Sequence, residues 1–195
     1  MTTETIKALV WLTLRAPQQA AAALLALNLP GQARALALAV VVVLSAMLGT
    51  LAEIVFAFVT KVDLGPAQSP VSLALLQGAL LIYGAAMVTV MGRQVGGRGR
   101  FADALVLLAW IEFVLILGQI VQMVVMVLFP LVAVLATLGL VGLMFWLLVN
   151  FVAALHGFTN LMAVGAGVIA GFIASALIAG IVLVALGIVP VPAPA

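Results

Sequence analysis

The sequence predicts an all-α fold: a polytopic transmembrane bundle of five helices preceded by short interfacial amphipathic helices. Three observations predict it. Hydrophobic residues fill 68% of the 195 positions and charged residues only 6%, against roughly 25% charge in an ordinary globular domain. So few charges cannot cover a water-facing surface. The apolar runs exceed the ~20 residues that cross a hydrocarbon core of about 30 Å. These runs are also continuous and rich in Leu, Ala, Val and Gly, whereas barrel strands alternate apolar and polar residues over about ten positions. Helices are then the spanning structure that satisfies its own backbone.

The elements follow in order. Residues 1–32 read as interfacial. Thr3–Arg15 has Ile6, Leu9, Val10 and Leu14 as its apolar positions, broken by Glu4, Lys7 and Arg15, with Trp11 suited to headgroup level. Pro17 starts a second short helix over 18–27, ended by Asn28-Leu29-Pro30-Gly31. Residues 33–190 form the membrane domain, with spans predicted at 35–58, 71–91, 102–128, 131–155 and 161–189. A polar turn with Gly65, Pro66, Ser69 and Pro70 separates the first two spans. A glycine-arginine loop from Gly92 to Arg100 separates the next two. Asp103 sits in the first turn of the third span, where a carboxylate suits a helix N-terminus. Phe129-Pro130 and His156 to Asn160 make the last two turns. The Pro-rich tail, 191–195, cannot continue a helix and is expected to fray.

Composition also bounds function. Cysteine is absent, which excludes disulfides, thiolate metal sites and a cysteine nucleophile. The net charge of +2 gives no basis for a nucleic-acid partner. No charged start leads directly into a short apolar core and cleavage site, so no removable signal peptide is expected. With five spans, one side of the membrane receives Lys7, Arg15, Arg34, Arg93, Arg98 and Arg100, and the other receives only Lys61. The positive-inside rule then places the N-terminus in the cytoplasm and the C-terminus in the periplasm, across a bacterial inner membrane.

Few residues can carry chemistry. Glu112 lies about 16 Å past the start of the third span, near mid-bilayer, where an acid is costly and marks either function or pairing. Tyr83 lies about 15 Å in from Arg93 on the preceding span, so a Tyr83–Glu112 hydrogen bond is expected. Gln119 and Gln122 extend a polar stripe from Glu112, and Asn150 adds an interhelical hydrogen bonder. Glu112, Tyr83, Gln119, Gln122 and Asn150 thus form the predicted intramembrane cluster, whose plain role is to hold helices together. Glu53 falls at the opposite interface, near Lys61 and Asp63. His156 has no Cys, Asp or Glu at ligand spacing, so no metal is expected, and it reads as a cap on the fourth span. Arg93, Arg98, Arg100 and Arg34 read as topology anchors that attract anionic headgroups. The glycine-arginine loop lacks the Lys-Ser/Thr and preceding strand of a P-loop. Ala163, Gly167, Gly171, Ser175 and Ala179 recur every fourth residue of the last span, a small-residue seam for helix packing. No Ser-His-Asp set or nucleophile elbow is present, and no cofactor is implied.

Three segments carry a family likeness. Gly96-Gly97-Arg98-Gly99-Arg100-Phe101-Ala102-Asp103-Ala104-Leu105, continuing to Ala109-Trp110-Ile111-Glu112, resembles the bacterial branch of the Yip1-domain family, in its alphaproteobacterial form. Leu155-His156-Gly157-Phe158 does too. So does Arg15-Ala16-Pro17-Gln18-Gln19-Ala20 with Leu27-Asn28-Leu29-Pro30. The resemblance implies a five-helix membrane domain with a cytoplasmic N-terminus. Eukaryotic relatives serve vesicle trafficking and partner small GTPases through a longer N-terminal region. Here the stretch before the first span is short. The family's Asp-Leu-Tyr-Gly-Pro motif has only a near-echo, Val62-Asp63-Leu64-Gly65-Pro66, in a different loop. Trafficking is therefore not carried over. The reading is a Yip1-like protein with a structural, membrane-organising or scaffold role and no enzyme activity. Its partners are membrane lipids, another membrane protein or a second copy. The alternatives are a small transporter or channel using Glu112, and an anionic-lipid-binding protein.

Overall fold

The structure is a computed structural model that describes residues 2–62 and 69–185. Asp63, the rest of the near-echo motif, and the tail from residue 186 lie outside the described residues. Among the described residues the regular structure is seven α-helices: α1 (Thr3–Arg15), α2 (Pro17–Ala26), α3 (Gly31–Thr60), α4 (Pro70–Gln94), α5 (Phe101–Leu128), α6 (Pro130–His156) and α7 (Leu161–Ala185). Helices α3 to α7 are each long and apolar enough to cross a membrane, and they occupy the five predicted spans.

Local chemistry sets the helix ends. Thr2 caps α1 by accepting a hydrogen bond from the Thr5 N–H at 3.3 Å. Pro17, Pro70 and Pro130 stand in the first turns of α2, α4 and α6, where the missing N–H has no cost. Lys61 ends α3 in the left-handed region at φ 59°. Gly157 ends α6 at φ 75°, and the Phe158 N–H reaches back to the Ala153 carbonyl at 2.9 Å. The Asn160 side chain accepts from the Ala163 N–H at 3.1 Å, closing the first turn of α7. Arg34 lies inside α3 rather than before it. Its guanidinium meets Asp103 of α5 at 3.3 Å and donates to the Leu29 carbonyl at 2.7 Å.

Helix α5 is the axis of the bundle, packing against α3, α4, α6 and α2. The core lies toward the end that carries α1, α2 and the glycine-arginine loop. There Leu107 and Ile111 of α5 pack with Leu147 and Phe151 of α6, and with Ala21 and Leu24 of α2. Helices α1 and α2, expected to lie in the interface, each turn one face onto this core and leave the opposite face exposed. Thr13 of α1 is fully buried and accepts a hydrogen bond from the Trp110 indole of α5 at 2.9 Å. Gln18 of α2 donates to Asn150 of α6 at 3.3 Å. The apolar periodicity of α1 and α2 was legible, but whether its face met lipid or protein was not.

Candidate functional site

The most constrained assembly is the loop between α4 and α5. Its centre is His156, the last residue of α6 and only 4% exposed. The Gly99 N–H donates to Nδ1 of the ring at 3.1 Å. A backbone N–H can only donate, so Nδ1 is the acceptor and Nε2 carries the proton. Nε2 then donates to the Val88 carbonyl of α4 at 3.2 Å. Phe158 stacks on the ring at 5.3 Å between centroids. Three glycines close the cage. A Cβ on Gly92 or on Gly97 would collide with the ring, and one on Gly99 would lie 2.6 Å from Cε1. The loop is further tied by Gly97 N–H to the Gly92 carbonyl at 2.8 Å, and Gly96 adopts φ 90°, a conformation suited to glycine. His156 therefore does not cap α6, as the sequence suggested. Gly157 ends the helix, and the ring turns sideways into the loop.

The loop's arginines face outward. Arg100 has extended backbone angles, φ −106° and ψ 143°. Gly99 is buried against His156, while Arg98 and Arg100 on either side are exposed. Arg93, at the end of α4, is exposed as well. Among the described residues, none of these three arginines has a carboxylate partner. Arg34 differs from them: it is half-buried against Asp103 and is not available to the surface in the same way.

The predicted intramembrane cluster does not assemble as one group. Glu112 accepts a hydrogen bond from Ser45 of α3 at 2.6 Å, whereas Tyr83 donates to Ser175 of α7 at 2.9 Å. The expected Tyr83–Glu112 bond is therefore absent. The faces do not meet: Gly84 of α4 faces Leu108 of α5, which leaves Tyr83 turned toward α7. Gln122 pairs with Thr137 of α6 at 2.5 Å. Asn150 donates to the Trp146 carbonyl at 2.8 Å and receives Gln18. Gln119 is half-buried between these levels. Ser45 was missed because a lone serine in an apolar run gives no signal until α3 and α5 are known to be parallel neighbours. Along that seam Arg34–Asp103 and Ser45–Glu112 form two rungs, about 14 to 17 Å apart by helical rise.

The small-residue seam of α7 is used only in part. Gly171 faces Met91 so closely that a Cβ there would lie 3.1 Å from the sulfur, and Ser175 carries the bond to Tyr83. Gly167 has open space around it, and Ala163 and Ala179 are exposed. A four-residue step advances 400°, so the stripe drifts by about 40° per step and leaves the α4 contact within two steps.

Among the described residues, no group of three or more His, Asp or Glu side chains is placed to hold a metal ion. The two best-formed cavities are small, each about 10 Å³, room for about one water. One is lined by apolar side chains including Val88, Leu107 and Phe151, the other by Leu25, Arg34 and Asp103. What these sites do chemically is to join helices and to present cationic groups.

The family model described as Yip1 domain matches residues 11–189, from within α1 to beyond the described end of α7. The match takes in α2 and the last turn of α1, in keeping with the face each turns onto the core. No curated protein and no solved structure matches the chain.

Proposed function

Since the chain belongs to the Yip1-domain family, we propose that it is an integral membrane protein with a structural, membrane-organising role and no catalytic step of its own. One observation carries the reading: four pairs of polar side chains within the bundle each join one helix to another. Ser45–Glu112 joins α3 to α5, Tyr83–Ser175 joins α4 to α7, Trp110–Thr13 joins α5 to α1, and Gln18–Asn150 joins α2 to α6. A transport path would need such groups turned toward water or substrate. Here they serve as the interhelical hydrogen bonds that hold membrane bundles together.

The organising element is the α1–α2 pair. Helices of 13 and 10 residues are about 20 and 15 Å long, too short to cross. They add protein volume to one leaflet that the other leaflet does not receive. The six-to-one division of Lys and Arg supports a cytoplasmic N-terminus in a bacterial inner membrane, with lipids as the first partners.

The test uses the full chain in liposomes, followed by two readouts. Proton and cation flux should equal that of empty vesicles, and Glu112→Gln should leave it unchanged. The protein should also distribute unevenly between flat membrane and tubes drawn from it. Flux above background that Glu112→Gln abolishes would establish transport instead. Even distribution on tubes would remove the membrane-organising role.

A further inference from the structure

We infer that Arg98 and Arg100 form a built site for the phosphate of an anionic lipid headgroup, shaped by the His156 cage. Alternation along the chain sets its geometry. In extended chain, successive side chains point to opposite sides, and residues i and i+2 share one side. The Cβ directions of Gly97 and Gly99 both run into the His156 ring. Arg98 and Arg100 therefore project away from it, and both are exposed. Two positions apart in the chain, their Cα atoms stand no more than about 7 Å apart, near enough for two guanidinium forks to bracket one phosphate.

Rigidity separates this loop from a topology signal. Positive-inside orientation requires charges near a helix end, with no demand on their geometry. Here the chain's only histidine and three glycines that cannot accept a Cβ fix the segment in place. The Gly99 N–H and the Val88 carbonyl hold the ring from both sides. Two arginines carried on a fixed backbone lose less entropy on binding than two on a free loop.

Charge and position choose the ligand. This end of the protein carries six basic residues, Lys7, Arg15, Arg34, Arg93, Arg98 and Arg100, and two acidic ones, Glu4 and Asp103. Both acids are already engaged, Glu4 by Lys7 and Asp103 by Arg34. The loop joins two membrane-crossing helices at Gln94 and Phe101, so its arginines stand at headgroup level. The partner chemistry is a phosphate monoanion confined to the membrane surface.

The full chain in nanodiscs of equal phosphatidylglycerol and phosphatidylcholine, released for native mass spectrometry, reads which lipid stays bound. Retention should favour phosphatidylglycerol on the order of fivefold per arginine engaged, the ratio that about 1 kcal/mol gives. Arg98→Lys with Arg100→Lys keeps every charge but removes the planar forks, and should bring retention several-fold closer to parity. Arg15→Gln removes one charge outside the site and should change nothing. His156→Gln, which keeps all arginines, should lower retention as the double lysine variant does. Should the lysine variant retain phosphatidylglycerol fully, or Arg15→Gln reduce it as much as Arg98→Gln, the attraction is diffuse and the site is overturned. Displacement by millimolar inorganic phosphate would point to a soluble ligand and overturn the headgroup assignment. If His156→Gln does not fold, the lysine pair alone decides.

Discussion

The two ends of the bundle are made from the same apolar residues and pack differently. At the arginine-loop end, Leu107, Leu147, Phe151 and Ala153 are buried, and α1 and α2 close over them. At the other end, Val121, Leu128, Phe129, Leu131 and Leu138 are exposed to the surroundings. Hydrophobicity cannot explain the difference, because lipid tails are as apolar as leucine and give little reason for a leucine to prefer protein. The dense end has what association in lipid requires. It has small buried residues that let helices approach, such as Ala85, Ala104 and Ala153. It also has polar side chains with partners on neighbouring helices. Packing in a membrane is decided by close fit and hydrogen bonds more than by apolar character.

The sharpest way to break that contrast is Phe151→Ala beside Leu131→Ala. Phe151 is 1% exposed and Leu131 86%. In a soluble core, Phe→Ala costs about 3–5 kcal/mol, part of it transfer from water. That part vanishes when the unfolded reference helix already sits in lipid, so about 2–3 kcal/mol of lost packing is expected. Leu131→Ala should stay within about 0.5 kcal/mol. Reversible unfolding in bicelles measures both, and equal effects would mean that the two ends are packed alike.

Glycines give the next comparison. Gly97→Ala drives a methyl into the His156 ring and should cost roughly 1–3 kcal/mol as overpacking. Gly139→Ala and Gly167→Ala meet open space, and a helix gains up to about 1 kcal/mol from alanine over glycine. Opposite signs are therefore expected in one thermal-melt series. A stable Gly97→Ala protein would show that the cage is loose.

These pairs also show what the sequence could and could not disclose. The five spans were legible because run length and charge set them locally, and the helices of the first four end within a few residues of the predicted limits, the predicted end of the fifth lying outside the described residues. Even Arg34, read as lying outside the first span, is a helical residue whose charge is matched by Asp103. The site was less legible because it depends on which helix faces meet. Helical rise gives Tyr83 and Glu112 similar depths, but the rotation of α4 about its axis sends one to Ser175 and leaves the other to Ser45. The signal for the His156 cage was present in Gly92, Gly97 and Gly99. It became readable only when α6 was seen to end beside the loop.

Ser45→Ala tests the mid-depth rung on the dense side. It removes the donor to Glu112, and a lost interhelical hydrogen bond in a bilayer averages about 0.6 kcal/mol and reaches about 1.7. A value near the upper end is expected, since the acceptor is a carboxyl left without this donor. Loss of protection at amides around residues 45 and 112 in hydrogen exchange should accompany it.

The smallest expected effect lies at the sparse end. Thr137→Val removes the acceptor of Gln122 while keeping the side-chain shape. Thr137 also bonds its own helix at the Ala133 carbonyl, 3.0 Å away, and both partners sit where the helices are mostly exposed to lipid. Freed from Thr137, the Gln122 amide can turn toward nearby backbone carbonyls or interfacial water, as polar groups in a membrane commonly find substitutes. A cost of about 0.5 kcal/mol or less follows, below that of Ser45→Ala in the same bicelle assay. If Thr137→Val costs as much as Ser45→Ala, the polar pair at the sparse end holds α5 to α6 as firmly as Ser45 holds α3 to α5. The contrast between the ends would then reduce to the presence of α1 and α2, not to how tightly the spans themselves are joined.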